Sequence, residues 1–288
     1  MHTLNFTDHR RQLLQNRYVY SVISRRAGGL SIGINLNPDK TCNFDCPYCQ
    51  VDRTVKGGER NIDLNILRRE LAHLLGLFQQ GELWQIEPFS TAKSEHRRLI
   101  DISFSGDGEP TICPQFPAAV ELVMDIKTEF NLQGVQINVF SNATMFQRKK
   151  IQTGLQKLWS GGGRVWAKLD AGSEEWYQRV DASKVPFYRV LDNIEWAARQ
   201  HPIVLQSMFH RFGNEGPTQE EIRLWASRID HIFEQGGKID WIQVYTTARK
   251  PSQEDVLPLQ REELEEIAEA ARTAVNKWGE DTKITVSG

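Results

Sequence analysis

The chain has 288 residues, a formal net charge of −2 at pH 7, and 25% charged against 40% hydrophobic side chains. This balance is typical of a globular enzyme, and it excludes a protein that binds nucleic acid through an overall basic charge. No stretch is long and apolar enough to predict a membrane-spanning helix, and the first residues lack an apolar signal core, so we expect a cytoplasmic protein with no membrane partner.

Apolar, β-prone runs alternate with amphipathic patterns along most of the chain. Leucines at helical spacing, such as Leu64, Leu67 and Leu71, predict helices between these runs. Six β/α units in succession predict an α/β fold with a parallel sheet and right-handed crossovers. The predicted strands cover residues 30–35, 100–105, 135–141, 165–170, 203–209 and 239–246, with a short edge strand at 283–286.

Two segments depart from this alternation of predicted strands and helices. Residues 1–29 form a predicted N-terminal extension, and residues 79–98 form a polar insertion within a core that spans 30–288. The insertion carries Trp84 and Phe89. Such insertions often serve binding, and an unstructured surface loop is the alternative.

Three of the four cysteines, Cys42, Cys46 and Cys49, lie within eight residues. Three thiolates on one short loop can ligate an iron–sulfur cluster and leave its last iron open for a cofactor. Zinc is an alternative, but structural zinc usually has four closed ligands, and no second Cys/His pair follows at a suitable distance. An odd trio does not fit a disulfide framework either. Unligated core cysteines are the third alternative.

A second polar loop follows the second predicted strand. It contains Gly106, Asp107, Gly108 and Glu109. Glycine lets a ligand approach the backbone closely, and a carboxylate accepts hydrogen bonds from an ammonium group. The alternative is an ordinary tight turn with a solvated acid.

The fourth predicted strand carries Lys168 and Asp170, whose spacing of two places both side chains on one face of the sheet. On an interior face Lys168 would bind an anionic group. Burial there would also lower its pKa, so that a neutral amine would be available for reaction. We therefore treat Lys168 and Asp170 as candidate catalytic residues. The alternative is an exposed ion pair that contributes little to the stability of the fold.

Other polar residues lie near predicted strand ends, where the loops of a parallel barrel converge. Ser141 and Asn142 follow the third strand and also suit an ordinary turn. Gln206 lies on the fifth strand, and Arg249 follows the sixth and offers a guanidinium for a carboxylate. Cys113 is a candidate catalytic hydrogen-atom donor, although a lone cysteine is more often a small buried hydrophobic residue.

The Cys-x3-Cys-x2-Cys spacing, with Tyr48 directly before the third cysteine, resembles the motif of the radical S-adenosylmethionine (SAM) superfamily. The resemblance implies a partial (β/α)6 barrel over almost the whole chain. It also implies a [4Fe–4S] cluster on Cys42, Cys46 and Cys49, whose open iron binds SAM for reductive cleavage to a 5′-deoxyadenosyl radical. A reducing partner such as flavodoxin or ferredoxin would supply the electron.

The resemblance further implies which residues contact SAM. Tyr48 would lie against the adenine. Gly108 and Glu109 are similar to the superfamily's Gly-Gly-Glu-Pro element, which holds the SAM amino group, although Asp107 separates the two glycines here. The candidate cofactor-binding residues are Tyr48, Gly108, Glu109, Ser141, Asn142, Lys168, Gln206 and Arg249.

Residues 24–30, 35–38, 50–53 and 248–251 resemble bacterial radical SAM proteins related to 4-demethylwyosine synthase. Those synthases build a tricyclic guanine in tRNA with pyruvate, a second cluster and a reactive lysine. No cysteine precedes Cys42, so a second three-cysteine cluster cannot form. The resemblance therefore implies a radical SAM enzyme acting on tRNA guanine or on a small molecule. The alternatives are an activating enzyme for a glycyl-radical partner protein and a non-catalytic iron–sulfur redox or sensor protein.

Overall fold

The computed structural model describes residues 16–24, 28–248, 251 and 253–288. The chain folds into two compact units. Unit 1 comprises residues 1–41, 56–140 and 149–164, and unit 2 comprises residues 42–55, 141–148 and 165–288. The candidate site residue Arg249 lies outside the described residues.

The strands of unit 1 pair side by side. The first and second pair antiparallel, whereas the second, third and fourth run parallel. Ile102, Ser103 and Phe104 are consecutive and are all buried, as expected for parallel strands that are covered on both faces. These strands are β1 (Val19–Ser24), β2 (Gly29–Ile34), β3 (Leu99–Phe104) and β4 (Gln136–Ser141).

The helices of unit 1 are α1 (Leu64–Gln79), α2 (Phe116–Glu129) and α3 (Lys149–Ser160). In α1 the leucine stripe is buried, as predicted, and the Asp63 side chain caps the first turn. The insertion forms short 3-10 turns at Glu82–Gln85, Phe89–Thr91 and Ser94–His96. Leu83 and Phe89 anchor it, because both are buried.

Unit 2 has parallel strands in the order β5, β6, β8 and β10, and a small antiparallel pair formed by β7 and β9. The strands are β5 (Arg164–Lys168), β6 (Ile203–Met208), β7 (His210–Phe212), β8 (Ile239–Tyr245), β9 (Val256–Pro258) and β10 (Lys283–Ser287). The helices are α4 (Glu174–Val180), α5 (Phe187–Gln200), α6 (Gln219–Glu234) and α7 (Arg261–Asn276).

The predicted α/β class and the largely parallel strands are confirmed. Strands β1, β7 and β9 are not among the predicted strands, and the predicted range 165–170 runs past Lys168, where β5 ends. The division into an extension at 1–29 and a core at 30–288 stays a prediction. Within the described residues, no helix combines the length and hydropathy needed to cross a membrane.

Candidate functional site

The cysteine loop of unit 2 is irregular backbone with one tight turn, in which the Cys49 N–H donates to the Cys46 carbonyl at 2.9 Å. All three cysteines are free thiols. Cys46 is 9% exposed, and Cys42 and Cys49 are half-buried. The three sulfur atoms are therefore neither paired nor sealed in an apolar core.

The segment that follows α4 anchors this loop. The Asp45 N–H donates to the Asp181 carbonyl at 3.0 Å, and the Ser183 hydroxyl donates to the Asn43 carbonyl at 2.8 Å. Phe44 packs edge-on against Tyr177, with ring centroids 5.6 Å apart. These contacts fix the part of the loop that lies between its first two cysteines.

Each cysteine sulfur also has a nitrogen donor from a side chain elsewhere in unit 2. Asn142 Nδ2 lies 3.8 Å from Cys42 Sγ, Lys168 Nζ lies 3.7 Å from Cys46 Sγ, and the Arg53 guanidinium interacts electrostatically with Cys49. Thiolates and cluster sulfurs accept such hydrogen bonds. The donor set therefore fits iron–sulfur ligation.

A single-ion site is not formed in the described part of the chain, where no three His, Cys, Asp or Glu side chains are grouped to hold one metal ion. In a four-iron cluster, each thiolate binds a different iron, so the three sulfurs need not converge on one point. The arrangement thus gives no support to the zinc alternative.

Lys168 is the centre of a buried charged network. Its Nζ lies 2.9 Å from Asp170 Oδ2 and 3.6 Å from Asp181 Oδ1. The Lys168 side chain is 18% exposed, whereas those of Asp170 and Asp181 are 0% and 3% exposed. The prediction that Lys168 and Asp170 share one face is confirmed, and the alternative of an exposed ion pair is wrong.

The charge state of Lys168 differs from our expectation. Burial lowers its pKa, but the combined attraction of Asp170, Cys46 and Asp181 outweighs burial and raises the pKa well above its ordinary value. The expected lowering of the Lys168 pKa was wrong, because the charges of these neighbours outweigh burial. Burial raises the pKa of Asp181 to about 8 despite the nearby ammonium. Near neutral pH, Lys168 is therefore a cation.

Tyr48 joins the cysteine loop to this network. Its hydroxyl donates to Asp170 Oδ2, and its ring centroid lies 4.3 Å from Lys168 Nζ. The other Asp170 oxygen accepts the Met208 N–H at 3.0 Å. Asp170 thus orients Tyr48 and Lys168 at the end of β5.

His210 packs edge-on against Tyr48, with ring centroids 5.1 Å apart. The imidazole is 1% exposed, and neither ring nitrogen has a hydrogen-bond partner within the described part of the protein. Burial lowers the pKa of His210 to about 4, and the positive charges of Lys168 and Arg179 add to this effect. The imidazole is therefore neutral near pH 7.

A polar row crosses three strands of unit 2. Lys168 on β5 is in register with Gln206 on β6, which is in register with Gln243 on β8. Side chains in register on neighbouring parallel strands project to one face. Two residues earlier on their strands, Trp166 and Trp241 meet with ring centroids 4.9 Å apart. The row thus combines an ammonium and two amides next to an aromatic pair.

The Glu109 loop belongs to unit 1. Glu109 is 3% exposed, and its carboxylate accepts the Thr111 N–H at 3.1 Å and the Thr111 hydroxyl at 2.5 Å. The Glu109 N–H donates to the carbonyl of Thr41, the residue before the first cysteine, at 3.1 Å. Asn35 Nδ2 donates to Asp107 Oδ2 at 2.6 Å. The alternative of a solvated acid at position 109 is wrong.

Gly108 is required by close packing. A Cβ atom at this position would lie 2.8 Å from both Asn37 Cβ and the Thr41 carbonyl carbon, closer than normal van der Waals contact. The glycine therefore lets the Glu109 loop approach the backbone of Thr41. This packing role accounts for Gly108 without any ligand.

Ser141 and Asn142 form a turn after β4. The Ser141 hydroxyl accepts the Ala143 N–H at 3.0 Å, and Asn142 Oδ1 accepts the Thr144 N–H at 3.2 Å. Asn142 Nδ2 also donates to Asn43 Oδ1 at 2.8 Å. The turn alternative is borne out, and Asn142 in addition reaches the cysteine loop.

Cys113 lies in unit 1 and is 3% exposed. Its thiol donates to Gln115 Oε1 at 3.4 Å, and burial raises its pKa. The side chain is thus a protonated, buried thiol. Its proposed catalytic role stays a prediction.

Neither Asp181 nor Arg53 is among the residues to which the sequence assigns a role. Asp181 Oδ1 lies 3.6 Å from Cys46 Sγ, although the two residues are 135 positions apart. No periodic pattern signals a contact over that separation. Arg53 lies four residues after Cys49, and this short spacing was the available signal for a cation at the loop.

A family model described as the radical SAM superfamily matches residues 36–224. The chain belongs to the radical SAM superfamily. It is therefore a radical SAM enzyme with the (β/α) fold of that superfamily, and its cofactors are a [4Fe–4S] cluster and SAM. Radical SAM enzymes in general need a reductant.

Two curated relatives match this radical SAM enzyme. A Brachyspira hyodysenteriae protein named GTPase Obg is 24% identical over 267 residues, which cover 91% of this chain and 34% of the relative. A UPF0026 protein of Methanocaldococcus jannaschii is 30% identical over 160 residues, 56% of this chain and 42% of the relative. The matched regions thus span less than half of either relative.

Among solved structures, TYW1 with a lysine–pyruvate adduct bound matches 87% of this chain and 74% of its own, with a TM-score of 0.51 and 13% identity. At this identity the likeness concerns the fold alone. It agrees with the (β/α) architecture that the family match gives.

Proposed function

We propose that this radical SAM enzyme holds its cluster on Cys42, Cys46 and Cys49 and binds its substrate on the polar row of unit 2. The main support for this proposal is the position of Lys168. Its ammonium lies 3.7 Å from Cys46 Sγ and is in register with Gln206. One side chain therefore connects the cluster loop to the row that we assign to the substrate.

When bound, the cluster supplies the electron that cleaves SAM to a 5′-deoxyadenosyl radical. In our proposal Glu109 accepts hydrogen bonds from the SAM amino group, because a buried carboxylate binds an ammonium strongly. Ser141 and Asn142 contact the SAM ribose and carboxylate, and Tyr48 lies against the adenine. Gln206 and Arg249 remain proposed cofactor contacts.

The substrate chemistry follows from the charge of Lys168. Because acidic neighbours keep its pKa high, we propose that Lys168 binds an anionic or carbonyl oxygen as an ammonium and does not attack as an amine. The amides of Gln206 and Gln243 each offer a donor and an acceptor. Asp170 acts as a positioning residue, since it orients Tyr48 and Lys168. The row thus suits a polar substrate rich in oxygen or amide groups.

The first specific substrate that we propose to test is guanine in tRNA. Sequence segments that resemble proteins related to 4-demethylwyosine synthase support this choice, and so does the shared fold of TYW1. A reaction identical to that of those synthases, which use a reactive lysine, is not supported, because Lys168 is held as a cation. Small carboxylates are the next candidates, and flavodoxin or ferredoxin is the proposed reductant.

The decisive experiment is an anaerobic assay of the reconstituted enzyme. Dithionite and SAM are added, and 5′-deoxyadenosine is measured by mass spectrometry. We expect product from the wild type and none from Cys46→Ala, which should also lose iron. Cys113→Ala is the matched cysteine control and should retain full iron content. Unchanged SAM cleavage by Cys46→Ala would overturn the assignment of the cluster ligands.

The same assay separates the substrate classes. Acceleration of 5′-deoxyadenosine formation by tRNA supports guanine modification, and acceleration by a small carboxylate supports the polar row as its binding site. A glycyl radical formed on a partner polypeptide would instead identify an activating enzyme. A loaded cluster that neither binds nor cleaves SAM would favour the sensor alternative and contradict the proposal.

A further inference from the structure

We propose that Asn142 and Lys168 each donate a hydrogen bond to one cluster thiolate, that Arg53 places its positive charge beside the third, and that the three together raise the reduction potential of the cluster. This inference rests on the proposed function, because it takes Cys42, Cys46 and Cys49 as the ligands. It assigns these side chains a part in setting the potential, beyond the SAM and substrate contacts proposed for Asn142 and Lys168.

The first support is the one-to-one match between donors and sulfurs. Each donor comes from a different part of unit 2: Asn142 follows β4, Lys168 ends β5, and Arg53 lies just beyond the cysteine loop. Their partners are Cys42, Cys46 and Cys49, respectively. Buried sulfurs of structural cysteines do not require such donors, because a thiol behaves as a small hydrophobic group.

The second support is that every donor is held by another partner. Asn142 Oδ1 accepts the Thr144 N–H at 3.2 Å, and Lys168 Nζ lies 2.9 Å from Asp170 Oδ2. Arg53 lies 3.6 Å from Asp45 Oδ1. A donor fixed in this way keeps its orientation toward the sulfur, as partners of metal ligands commonly do.

The direction of the effect follows from charge. Reduction adds one electron, which comes from the reductant, and increases the negative charge on the cluster and its sulfurs. Hydrogen-bond donors and cations near the sulfurs stabilise this more negative state and raise the potential. Lys168 is charged and is the more buried of the two cations, with 18% of its side chain exposed against 29% for Arg53. We therefore expect Lys168 to have the largest effect and neutral Asn142 the smallest.

The test is a potentiometric titration of the reconstituted holoenzyme, followed by the electron paramagnetic resonance signal of the reduced cluster. The variants are Lys168→Met and Arg53→Met, which remove a charge and its donors, and Asn142→Ala. The matched controls are Lys157→Met and Arg68→Met, which remove the same charges from exposed ion pairs with Glu121 and Glu129. Solvent and salt screen such exposed charges.

We expect a lower midpoint potential in Lys168→Met, a smaller decrease in Arg53→Met, and unchanged midpoints in both controls. Lys168→Arg, which keeps the charge and its donors, should restore most of the wild-type value. An unchanged midpoint in Lys168→Met at full iron loading overturns the inference. If Lys168→Met does not hold a cluster, the midpoint potential of Arg53→Met becomes the test. An unchanged midpoint in Arg53→Met then overturns the inference.

The outcomes separate this inference from the proposed function. Iron binding and SAM cleavage by the wild type, with unchanged midpoints in the variants, would refute the role of the donors alone. A Cys46→Ala variant with a complete cluster would refute the ligand assignment and therefore both proposals. The midpoint potential is measured without substrate, so the test does not wait for the substrate to be known.

Discussion

The ammonium of Lys168 lies 2.9 Å from Asp170 Oδ2, and the Asp170 side chain is completely buried. Asp170 also accepts hydrogen bonds from Tyr48 and from the Met208 backbone. Removing one member of a buried pair leaves the other charge uncompensated, which typically costs about 3–5 kcal/mol. We therefore expect Asp170→Asn to lower the free energy of unfolding by several kcal/mol, measured by urea denaturation.

The matched control is Glu121→Gln. Glu121 pairs with Lys157 at the same distance, 2.9 Å, but the two side chains are 58% and 48% exposed. An exposed pair contributes about 1 kcal/mol or less. Equal decreases in the free energy of unfolding in Asp170→Asn and Glu121→Gln would contradict the prediction that the buried pair stabilises the fold more than the exposed pair does.

A second prediction concerns the reactivity of Lys168. Because its pKa is raised, the amine stays protonated near neutral pH and is a poor nucleophile toward a keto acid. We expect little adduct at Lys168 when the enzyme is incubated with pyruvate and cyanoborohydride and its peptides are analysed by mass spectrometry. Exposed Lys184 is the internal control and should be modified more. Stoichiometric modification of Lys168 would show that the ammonium role is wrong.

The sequence predicted the parts of the site that depend on local spacing. Lys168 and Asp170 lie on one face because side chains two apart in an extended chain project the same way. The contact of Asp181 with Cys46, across 135 positions, arises only when α4 docks against the cysteine loop. Asp170 contributes most to the raised pKa of Lys168, and Cys46 and Asp181 add to it once this packing brings them close. Long-range packing, which no periodicity encodes, completes the site.

A third prediction follows from the buried imidazole of His210. Its pKa is about 4 in the folded chain against an ordinary value of 6.5. The unfolded chain therefore binds a proton below about pH 6.5 while the folded chain does not, so stability falls as the pH falls from about 6.5 toward 4. Between pH 7 and pH 5 this one group should cost about 2 kcal/mol.

The measurement compares wild type with His210→Phe by denaturation at pH 7 and pH 5. Other titrating groups affect both proteins, so the informative quantity is the change with pH of the difference between them. We expect His210→Phe to gain about 2 kcal/mol relative to wild type on going to pH 5. His231→Gln, at an exposed histidine, should show no such gain. A constant difference would mean that His210 titrates normally.

A fourth prediction concerns the packing of Gly108. A methyl group there would press on Asn37 and the Thr41 backbone. Overpacking of this kind typically costs about 1–3 kcal/mol. Gly108→Ala should therefore lower the thermal midpoint. Gly76→Ala in α1 is the control, because no atom lies within 4 Å of its added Cβ and alanine favours the helix. Equal thermal midpoints for the two variants would contradict the close packing of Gly108 against Asn37 and Thr41.

The last prediction tests the role of Glu109 in SAM binding. Gln at this position can still accept the Thr111 N–H and hydroxyl hydrogen bonds through its amide oxygen, so Glu109→Gln should fold and keep its iron content. It loses the negative charge that would hold the SAM ammonium. A hydrogen bond to a charged group contributes about 1.5–3 kcal/mol, so we expect SAM affinity to fall about 10- to 100-fold by isothermal titration calorimetry.

Glu221→Gln is the matched control for this variant. Glu221 is also buried, at 5% exposed, and its carboxylate accepts the backbone N–H groups of Gly172 and Ser173. Its substitution should lower stability without changing SAM affinity, since it fixes the turn before α4. If Glu109→Gln instead bound SAM as tightly as wild type, the buried carboxylate would serve only to fix its own loop through Thr111, and the SAM amino group would have to be held by other residues.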